Sequence, residues 1–190
     1  MKKFVFVFLA VLVGLAVAFF RITGLENSKA FFHNGSWTGS NALPLGKSNL
    51  LTTQVTLFGL FALPSDEAIY LFARKDENNE FFTSDYNYTI EGNTNDIKAK
   101  YWSITIYGKD LFLIDNEINR FSYNNSNIQK DSAGNFTITV SAIKQNGNWL
   151  PSKKDSRFNL VLRIYKGEKD FISKLSEVSL PVIKRKPNGS

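Results

Sequence analysis

The clearest pattern in the chain is an alternation of apolar and polar residues with a period of two. YWSITIY (101–107) places Trp102, Ile104 and Ile106 on one face and polar or tyrosine side chains on the other. FTITVSA (136–142) and FNLVLRIY (158–165) alternate in the same way. Because successive side chains of a strand point to opposite faces, each stretch predicts a strand with one face turned inward.

Shorter patterns complete the predicted elements. IYLFA (69–73) and YNYTI (86–90) predict strands, and LFLI (111–114) predicts a short buried strand. Residues 146–151 are interpreted as a loop with one large aromatic, followed later by a short helix at 168–174 and a final strand at 178–183.

The stretch from Leu50 to Leu63 fits two elements. Its apolar residues follow helical spacing, with Ser48 as a possible N-cap and Pro64 beyond the end. Its threonines and the alternation within TQVTLF also suit a strand. The residues alone leave both interpretations open.

Together these patterns predict a mainly β fold. Seven or more short strands separated by turn signals are typical of an antiparallel β-sandwich. We expect a jelly-roll-like sandwich with one or two peripheral helices, plus one N-terminal transmembrane helix.

The N-terminal segment has no such alternation. Residues 4–20 carry no charge and are apolar on every face, with Lys2 and Lys3 before them and Arg21 after them. As a helix they would span about 25 Å, near the lower limit for crossing a membrane. The basic residues at the start place the N-terminus in the cytoplasm and the rest of the chain outside it.

A cleaved signal peptide is the competing interpretation of this segment. Small residues precede a possible cleavage site after Ala18, which would release a secreted domain. The apolar run continues through Phe20, which favours an uncleaved anchor in the inner membrane with a periplasmic domain. The predicted organisation is therefore a membrane anchor or signal segment (1–21), a tether and irregular loop (22–49), a β-sandwich domain (50–184) and a disordered tail (185–190).

Composition narrows the possible functions. The chain has no cysteine and one histidine, His33, so no disulfide, metal site, cofactor site or histidine-based catalytic triad is predicted. The net charge of +6 comes from the two ends, because residues 22–152 carry 10 basic and 13 acidic side chains. Nucleic-acid binding is not expected, since it requires basic residues concentrated on one surface.

Five stretches, taken in order, resemble a known family. The chain is similar to the bacterial family called domain of unknown function 1214 over roughly residues 35–184, through the motifs EAIY (67–70), YWSITIY (101–107), FLIDNEINRFS (112–122), NWLP (148–151) and LVLRIY (160–165).

The resemblance implies a jelly-roll-type β-sandwich, with a helix at residues 50–63. In many members this domain is the C-terminal half of a longer protein, whereas a predicted anchor precedes it here. The chain departs from the family by having Glu117 where members often have proline, and by having a reduced form of the proline-rich ending, with Pro181. No settled activity comes with the resemblance.

A polar cluster follows the predicted strand 111–114. Asp115, Asn116, Asn119 and Arg120 would either build a turn, with Arg120 paired to Asp115, or form a rim that binds sugar hydroxyls or a carboxylate.

Three further residues are candidates for binding. Trp149, next to Asn148, would either hold its loop on the sandwich or stack against a ligand ring. Arg163 interrupts an apolar strand and needs a tyrosine stack, or an ion pair with Asp115 or another acid.

The sequence favours a non-enzymatic domain, anchored outside the cytoplasm, that binds a partner protein or an envelope glycan through Asp115, Asn119, Arg120, Asn148, Trp149 and Arg163. The alternative is a carbohydrate-active or ester hydrolase that uses Asp115 and Glu117, since glycosidases require two carboxyl groups facing one another across a cleft.

Overall fold

The structure, a computed structural model, describes residues 2–23, 31–39 and 67–186. Predictions for residues 40–66, including the helix at 50–63 and its cap at Ser48, lie outside the described residues, as do residues 187–190. The described chain forms two helices and ten strands: α1 (Lys2–Thr23), β1 (Phe32–Asn34), β2 (Trp37–Gly39), β3 (Ala68–Ala73), β4 (Asn87–Asn93), β5 (Ala99–Gly108), β6 (Ser122–Asn124), β7 (Asn135–Ser141), β8 (Asn148–Pro151), β9 (Phe158–Gly167), α2 (Lys169–Ser173) and β10 (Val182–Lys186).

Helix α1 belongs to a different compact unit from the strands. Its 22 residues correspond to about 33 Å of helix, which matches the hydrocarbon thickness of a bilayer. The segment Lys3–Phe20 is apolar enough to cross a membrane, and none of it is buried. An apolar helix of this kind suits a membrane anchor or a signal sequence.

The strands form two sheets. The six-stranded sheet has the order β1-β2-β3-β9-β5-β6, and the four-stranded sheet has the order β10-β4-β7-β8. All the pairs are antiparallel except β7 with β8, which are parallel. The prediction of a mainly β sandwich is confirmed.

Large aromatic side chains join the two sheets. Trp102 of the six-stranded sheet stacks on Phe136 of the four-stranded sheet, with ring centroids 5.4 Å apart. Tyr88 of β4 meets Phe158 of β9 edge-on at 5.5 Å, and Phe82 stacks against Phe158 at 5.4 Å. These rings fill the core, and each such pair adds about 0.5–1.5 kcal/mol to the free energy of unfolding beyond the area it buries.

The three long alternating strands were predicted correctly. Phe158, Leu160, Leu162 and Ile164 of β9 are all buried, as are Phe136, Ile138 and Val140 of β7 and Trp102, Ile104 and Ile106 of β5. Ser103 and Thr105, on the other face of β5, are buried as well. The predicted inward face of each strand is therefore confirmed. In the middle of β5 the opposite face is buried as well.

The prediction of a strand at 111–114 is wrong. Leu111 has a φ of 66°, in the left-handed region that strands do not contain, and a tight turn links the Gly108 amide to the Phe112 carbonyl at 2.8 Å. Only Leu113 forms a β-bridge, to Tyr107, and only Ile114 is buried. Phe112 and Leu113 are exposed.

The prediction of a loop at 146–151 is also wrong in part, because residues 148–151 form strand β8. The strand lies at an edge of the four-stranded sheet, where a proline such as Pro151 is tolerated because no further strand needs its amide. Asn146 and Gly147 do form the loop before it.

Two boundaries differ from the predictions. The stretch assigned to an irregular tether contains the hairpin β1–β2, where Trp37 is buried and its indole N–H donates to the Pro181 carbonyl at 2.6 Å. The final strand is β10, so Arg185 and Lys186 belong to the sheet and not to a disordered tail. The chain before β10 instead turns around the buried side chains of Leu175 and Leu180. The short helix α2 agrees with the prediction.

Candidate functional site

The residues predicted to form a binding site are divided among three places. Asp115, Asn119 and Arg120 lie on the loop between β5 and β6, whereas Asn148 and Trp149 lie on β8. Arg163 lies on the outer face of the six-stranded sheet, where it pairs in register with Tyr70 and Ser103. The described residues do not bring the six together in one pocket.

The 115–120 loop is held by Asn116. Its side-chain amide donates to the carbonyls of Ile114 (3.0 Å) and Arg120 (3.1 Å), and its Oδ1 accepts the Arg120 amide (2.9 Å). Asn119 takes a φ of 50°, which asparagine tolerates better than most residues, and its amide donates to the Asn116 carbonyl. The turn interpretation of this cluster therefore fits the geometry.

The predicted ion pair between Arg120 and Asp115 is not formed within the described part of the chain. The Arg120 guanidinium instead lies over the Tyr123 ring, 5.1 Å from its centroid, and Asp115 is exposed. The Tyr123 hydroxyl accepts the Trp149 amide at 2.9 Å. Tyr123 thus links Arg120 to Trp149 across the two sheets as a packing contact.

Arg163 is surrounded by tyrosines. Its guanidinium donates to the Tyr107 hydroxyl and lies 5.4 Å from the Tyr107 ring centroid and 6.0 Å from that of Tyr70. The tyrosine stack was one of the predicted partners, and the ion pair with Asp115 is not formed among the described residues. Burial, followed by a hydrogen bond with Tyr165, raises the pKa of Tyr70 to about 12.

Asn148 uses its whole side chain inside the protein. Its Oδ1 accepts the Gln129 amide at 2.8 Å, and its Nδ2 donates to the carbonyls of Gln129 (2.7 Å) and Thr137 (3.0 Å). Because no donor and little acceptor capacity remains, the Asn148 side chain has a structural role, and its role as a ligand contact stays a prediction.

The four-stranded sheet turns a polar face outward. Its apolar residues, such as Ile90 and Ile138, are buried, while the intervening residues on β10, β4 and β7 are polar or charged with one exception. We call this surface the polar face; it comprises Asn87, Thr89, Glu91, Asn93, Asn135, Thr137, Thr139, Trp149, Val182, Lys184 and Lys186.

Trp149 is the one aromatic residue on the polar face. It pairs in parallel register with Thr139, so both side chains leave the sheet on the same side. Its indole N–H donates to the Ser141 carbonyl at 3.0 Å, which holds the ring against the sheet while part of it stays exposed. The predicted clamp role is supported, and an exposed part of the ring remains available for contact.

An open groove of about 490 Å³ lies on the polar face, and its wall includes Thr139, the register partner of Trp149. Four neutral polar side chains in its wall have no hydrogen-bond partner in the described chain: Gln129, Thr137, Thr139 and Asn146. Their hydroxyl and amide groups both donate and accept hydrogen bonds. The groove therefore presents unused neutral donors and acceptors on the polar face.

The charged side chains around the groove are held by hydrogen bonds. Asp131, in the groove wall, accepts hydrogen bonds from the Asn135 side chain and amide and from the Ala133 amide, and these lower the pKa of its carboxyl. A hydrogen bond from Lys184 lowers the pKa of Glu91 on the same face. The Lys130 ammonium, also in the wall, donates to the Thr94 hydroxyl at 3.3 Å.

No group of three or more histidine, cysteine, aspartate or glutamate side chains suited to a metal occurs among the described residues. Asp115 and Glu117 are exposed on a loop and lie outside the groove wall.

Asn148 is the one residue of the groove wall that the sequence analysis singled out. The alternation in FTITVSA already placed Thr137 and Thr139 on the outward face, which was the available signal. Gln129 and Asn146 carried no signal, because the tertiary fold alone brings the loops before β7 and β8 to one place.

Two solved structures are similar to part of this chain. The VPA0106 protein from Vibrio parahaemolyticus is 27% identical, with a TM-score of 0.58, over 75% of this chain and 36% of that one. An uncharacterized protein from Burkholderia cenocepacia is 16% identical, with a TM-score of 0.44, over 67% of this chain and 31% of that one. The chain therefore spans about a third of the length of these two solved chains.

A family profile described as "Protein of unknown function (DUF1214)" matches residues 67–169, from the turn before β3 to the start of α2. No curated protein matches the chain. The matched region covers most strands of both sheets and more than half of the chain, and so the chain belongs to the DUF1214 family.

Proposed function

We propose that this chain is a membrane-anchored, extracytoplasmic glycan-binding domain that holds a neutral envelope glycan on its polar face. The observation that carries the proposal is the groove of about 490 Å³ with its unpartnered hydroxyl and amide groups. The partly exposed Trp149 lies on the same face of the sheet, in register with Thr139 of the groove wall.

The chemistry of the groove fits a sugar better than an ion. A sugar ring presents hydroxyl groups that both donate and accept hydrogen bonds, as do Thr137, Thr139 and the amides of Gln129 and Asn146. The groove wall contains one positive charge, on Lys130, and one negative charge, on Asp131, so it adds little net attraction for a charged ligand. The apolar face of a sugar can pack on the exposed part of the Trp149 indole.

The anchor supplies the location in this proposal. Helix α1 is long and apolar enough to span a bilayer, and its flanking basic residues orient the β-domain to the outside. A domain held there meets the glycans of the envelope at high local concentration, so weak binding by an open groove is sufficient.

Tryptophan fluorescence provides a direct test. The chain has three tryptophans, of which Trp37 and Trp102 are only 1% exposed, so Trp149 is expected to give the ligand-dependent change. We would titrate the full chain in detergent with soluble oligomers of N-acetylglucosamine and of glucose and follow the emission. At least one oligomer is expected to shift the emission in a saturable way.

Matched variants locate the binding. Thr137→Val with Thr139→Val keeps the strand but removes two hydrogen-bonding groups, which at about 1 kcal/mol each weakens binding roughly 30-fold. Ser176→Ala removes an exposed hydroxyl from the turn after α2 and should leave affinity unchanged. Unchanged affinity in the double threonine variant would contradict the proposal. A response to none of the oligomers would contradict it as well.

A further inference from the structure

The loop between β5 and β6 exposes three large apolar side chains that the core does not use. Phe112 is 72% exposed, Leu113 51% and Ile118 52%. We call residues 109–120 the apolar loop. The loop was expected to form a buried strand at its start, and no element of the described structure covers these side chains.

The apolar loop is held in shape rather than loosely extended. The Gly108 amide donates to the Phe112 carbonyl at 2.8 Å, and Leu113 forms a β-bridge with Tyr107. The hydrogen bonds of Asn116 fix the second half. A loop with a defined shape presents its apolar side chains at a lower entropic cost when they contact another surface.

The apolar loop lies at the end of the sandwich where β5 finishes. Trp102, near the start of β5, stacks on Phe136, near the start of β7, so these two strands begin at the same end. The loop after β7 therefore leaves at the end where β5 finishes, and it exposes a fourth apolar side chain, Ile143, at 69%. Exposed apolar groups thus lie on two loops at one end.

The occupant of this end is inferred from the chain that precedes the β-domain. Residues 24–31, eight positions, join α1 to β1, and a chain of that length reaches about 30 Å when fully extended. If α1 spans a bilayer, the β-domain is held within that reach of its surface. A lipid surface is then the apolar partner present at the highest local concentration.

The charges of the apolar loop favour a contact with the apolar part of the lipid over a contact with anionic headgroups. The apolar loop carries Lys109 and Arg120 against Asp110, Asp115 and Glu117, so it has no basic excess to attract anionic headgroups. Aromatic and aliphatic side chains on such a loop partition into the boundary between headgroups and acyl chains without that attraction. The predicted contact therefore does not depend on acidic lipids.

We propose that the apolar loop inserts into the surface of the bilayer that α1 anchors, through Phe112 and Leu113, so that this end of the sandwich faces the membrane. The proposal rests on the anchoring part of the proposed function and is independent of glycan binding. In this orientation the loop end of the sandwich contacts the lipid, and the polar face of the four-stranded sheet is exposed to the aqueous phase.

The absence of cysteine makes a site-specific test direct. In the full chain, Phe112→Cys and, separately, Ser132→Cys would each be labelled with a fluorophore that reports polarity. Ser132 is an exposed turn residue before β7, at the opposite end of the sandwich. The labelled chains would be placed in phosphatidylcholine vesicles in which part of the lipid carries bromine in its acyl chains. Vesicle flotation after carbonate washing reports insertion of α1 separately.

The proposal predicts a blue-shifted emission and strong bromine quenching for the label at position 112, and neither for the label at position 132. Equal quenching of both labels would overturn it. No quenching at position 112 in chains that float with the vesicles would also overturn it while leaving the anchor intact, and would point to a protein partner for this loop. Loss of flotation would remove the anchor, and with it the basis of the proposal.

Discussion

Asn148 provides the sharpest test of how the four-stranded sheet is held together. Its side chain is 6% exposed and makes three hydrogen bonds, two with the backbone of Gln129 and one with the carbonyl of Thr137. Asn148→Ala leaves all three backbone groups without that partner. At about 1 kcal/mol for each hydrogen bond, we expect the free energy of unfolding to fall by about 3 kcal/mol.

The matched control for this prediction is Asn146→Ala, two residues earlier. Asn146 is exposed, and its side chain has no hydrogen-bond partner in the described chain, so its replacement should change stability by less than about 0.5 kcal/mol. The assay is urea unfolding of the full chain in detergent, followed by tryptophan emission. Equal costs for the two variants, or a cost below about 1 kcal/mol for Asn148→Ala, would refute the structural role of Asn148.

Two further predictions concern a buried carboxylate and a half-buried tyrosine. The Asp76 side chain is fully buried, accepts the amides of Asn78 (2.9 Å) and Glu80 (3.0 Å), and lies 3.4 Å from the Arg185 guanidinium. Asp76→Ala should lower the free energy of unfolding by about 2–4 kcal/mol in urea, and Asp76→Asn, which keeps an acceptor, by less; equal costs would contradict this. The pKa of Tyr70 is raised from 10.0 to about 12, so the unfolded chain loses this proton first and stability should decline as the pH rises from 10 toward 12. Tyr70→Phe should flatten that decline in urea unfolding repeated across this pH range, and an unchanged slope would count against the shift.

The strands that the sequence predicted best are those that depend on local physics. Trp102, Ile104 and Ile106 are buried because side chains alternate along any strand, and this alternation is visible without knowledge of the fold. The same holds for β7 and β9. In contrast, LFLI looked apolar enough for a buried strand, yet the left-handed backbone at Leu111 turns the chain and exposes Phe112.

The candidate site was harder to predict because polar groups can be consumed inside the protein. Asn116 and Asn148 belong to the polar stretches that drew attention in the sequence, but backbone groups occupy their side-chain amides. The groups that remain unpartnered, on Thr137, Thr139 and Gln129, come from segments that looked unremarkable. Which polar groups stay without a partner depends on hydrogen bonds between residues far apart in the sequence. The residues around each group do not reveal these bonds.

The NWLP stretch shows a related limit. Asparagine, glycine and proline are typical of loops, and the residues before it do form one. Strand β8 exists because its backbone pairs in parallel with β7 and because Asn148 closes the gap to Gln129. Trp149 thereby gains a defined place on the polar face, which the sequence had left open between a clamp and a stacking platform.

Mapping of amide chemical shifts on the isotope-labelled full chain in detergent micelles tests the central claim most directly. We would add the oligosaccharide that gives the largest tryptophan response and locate the perturbed residues. The account predicts perturbations centred on Gln129, Thr137, Thr139, Asn146 and Trp149, with the Tyr70–Arg163 face of the other sheet unchanged. Perturbations centred on that other face, or spread evenly over the domain, would contradict glycan binding on the polar face.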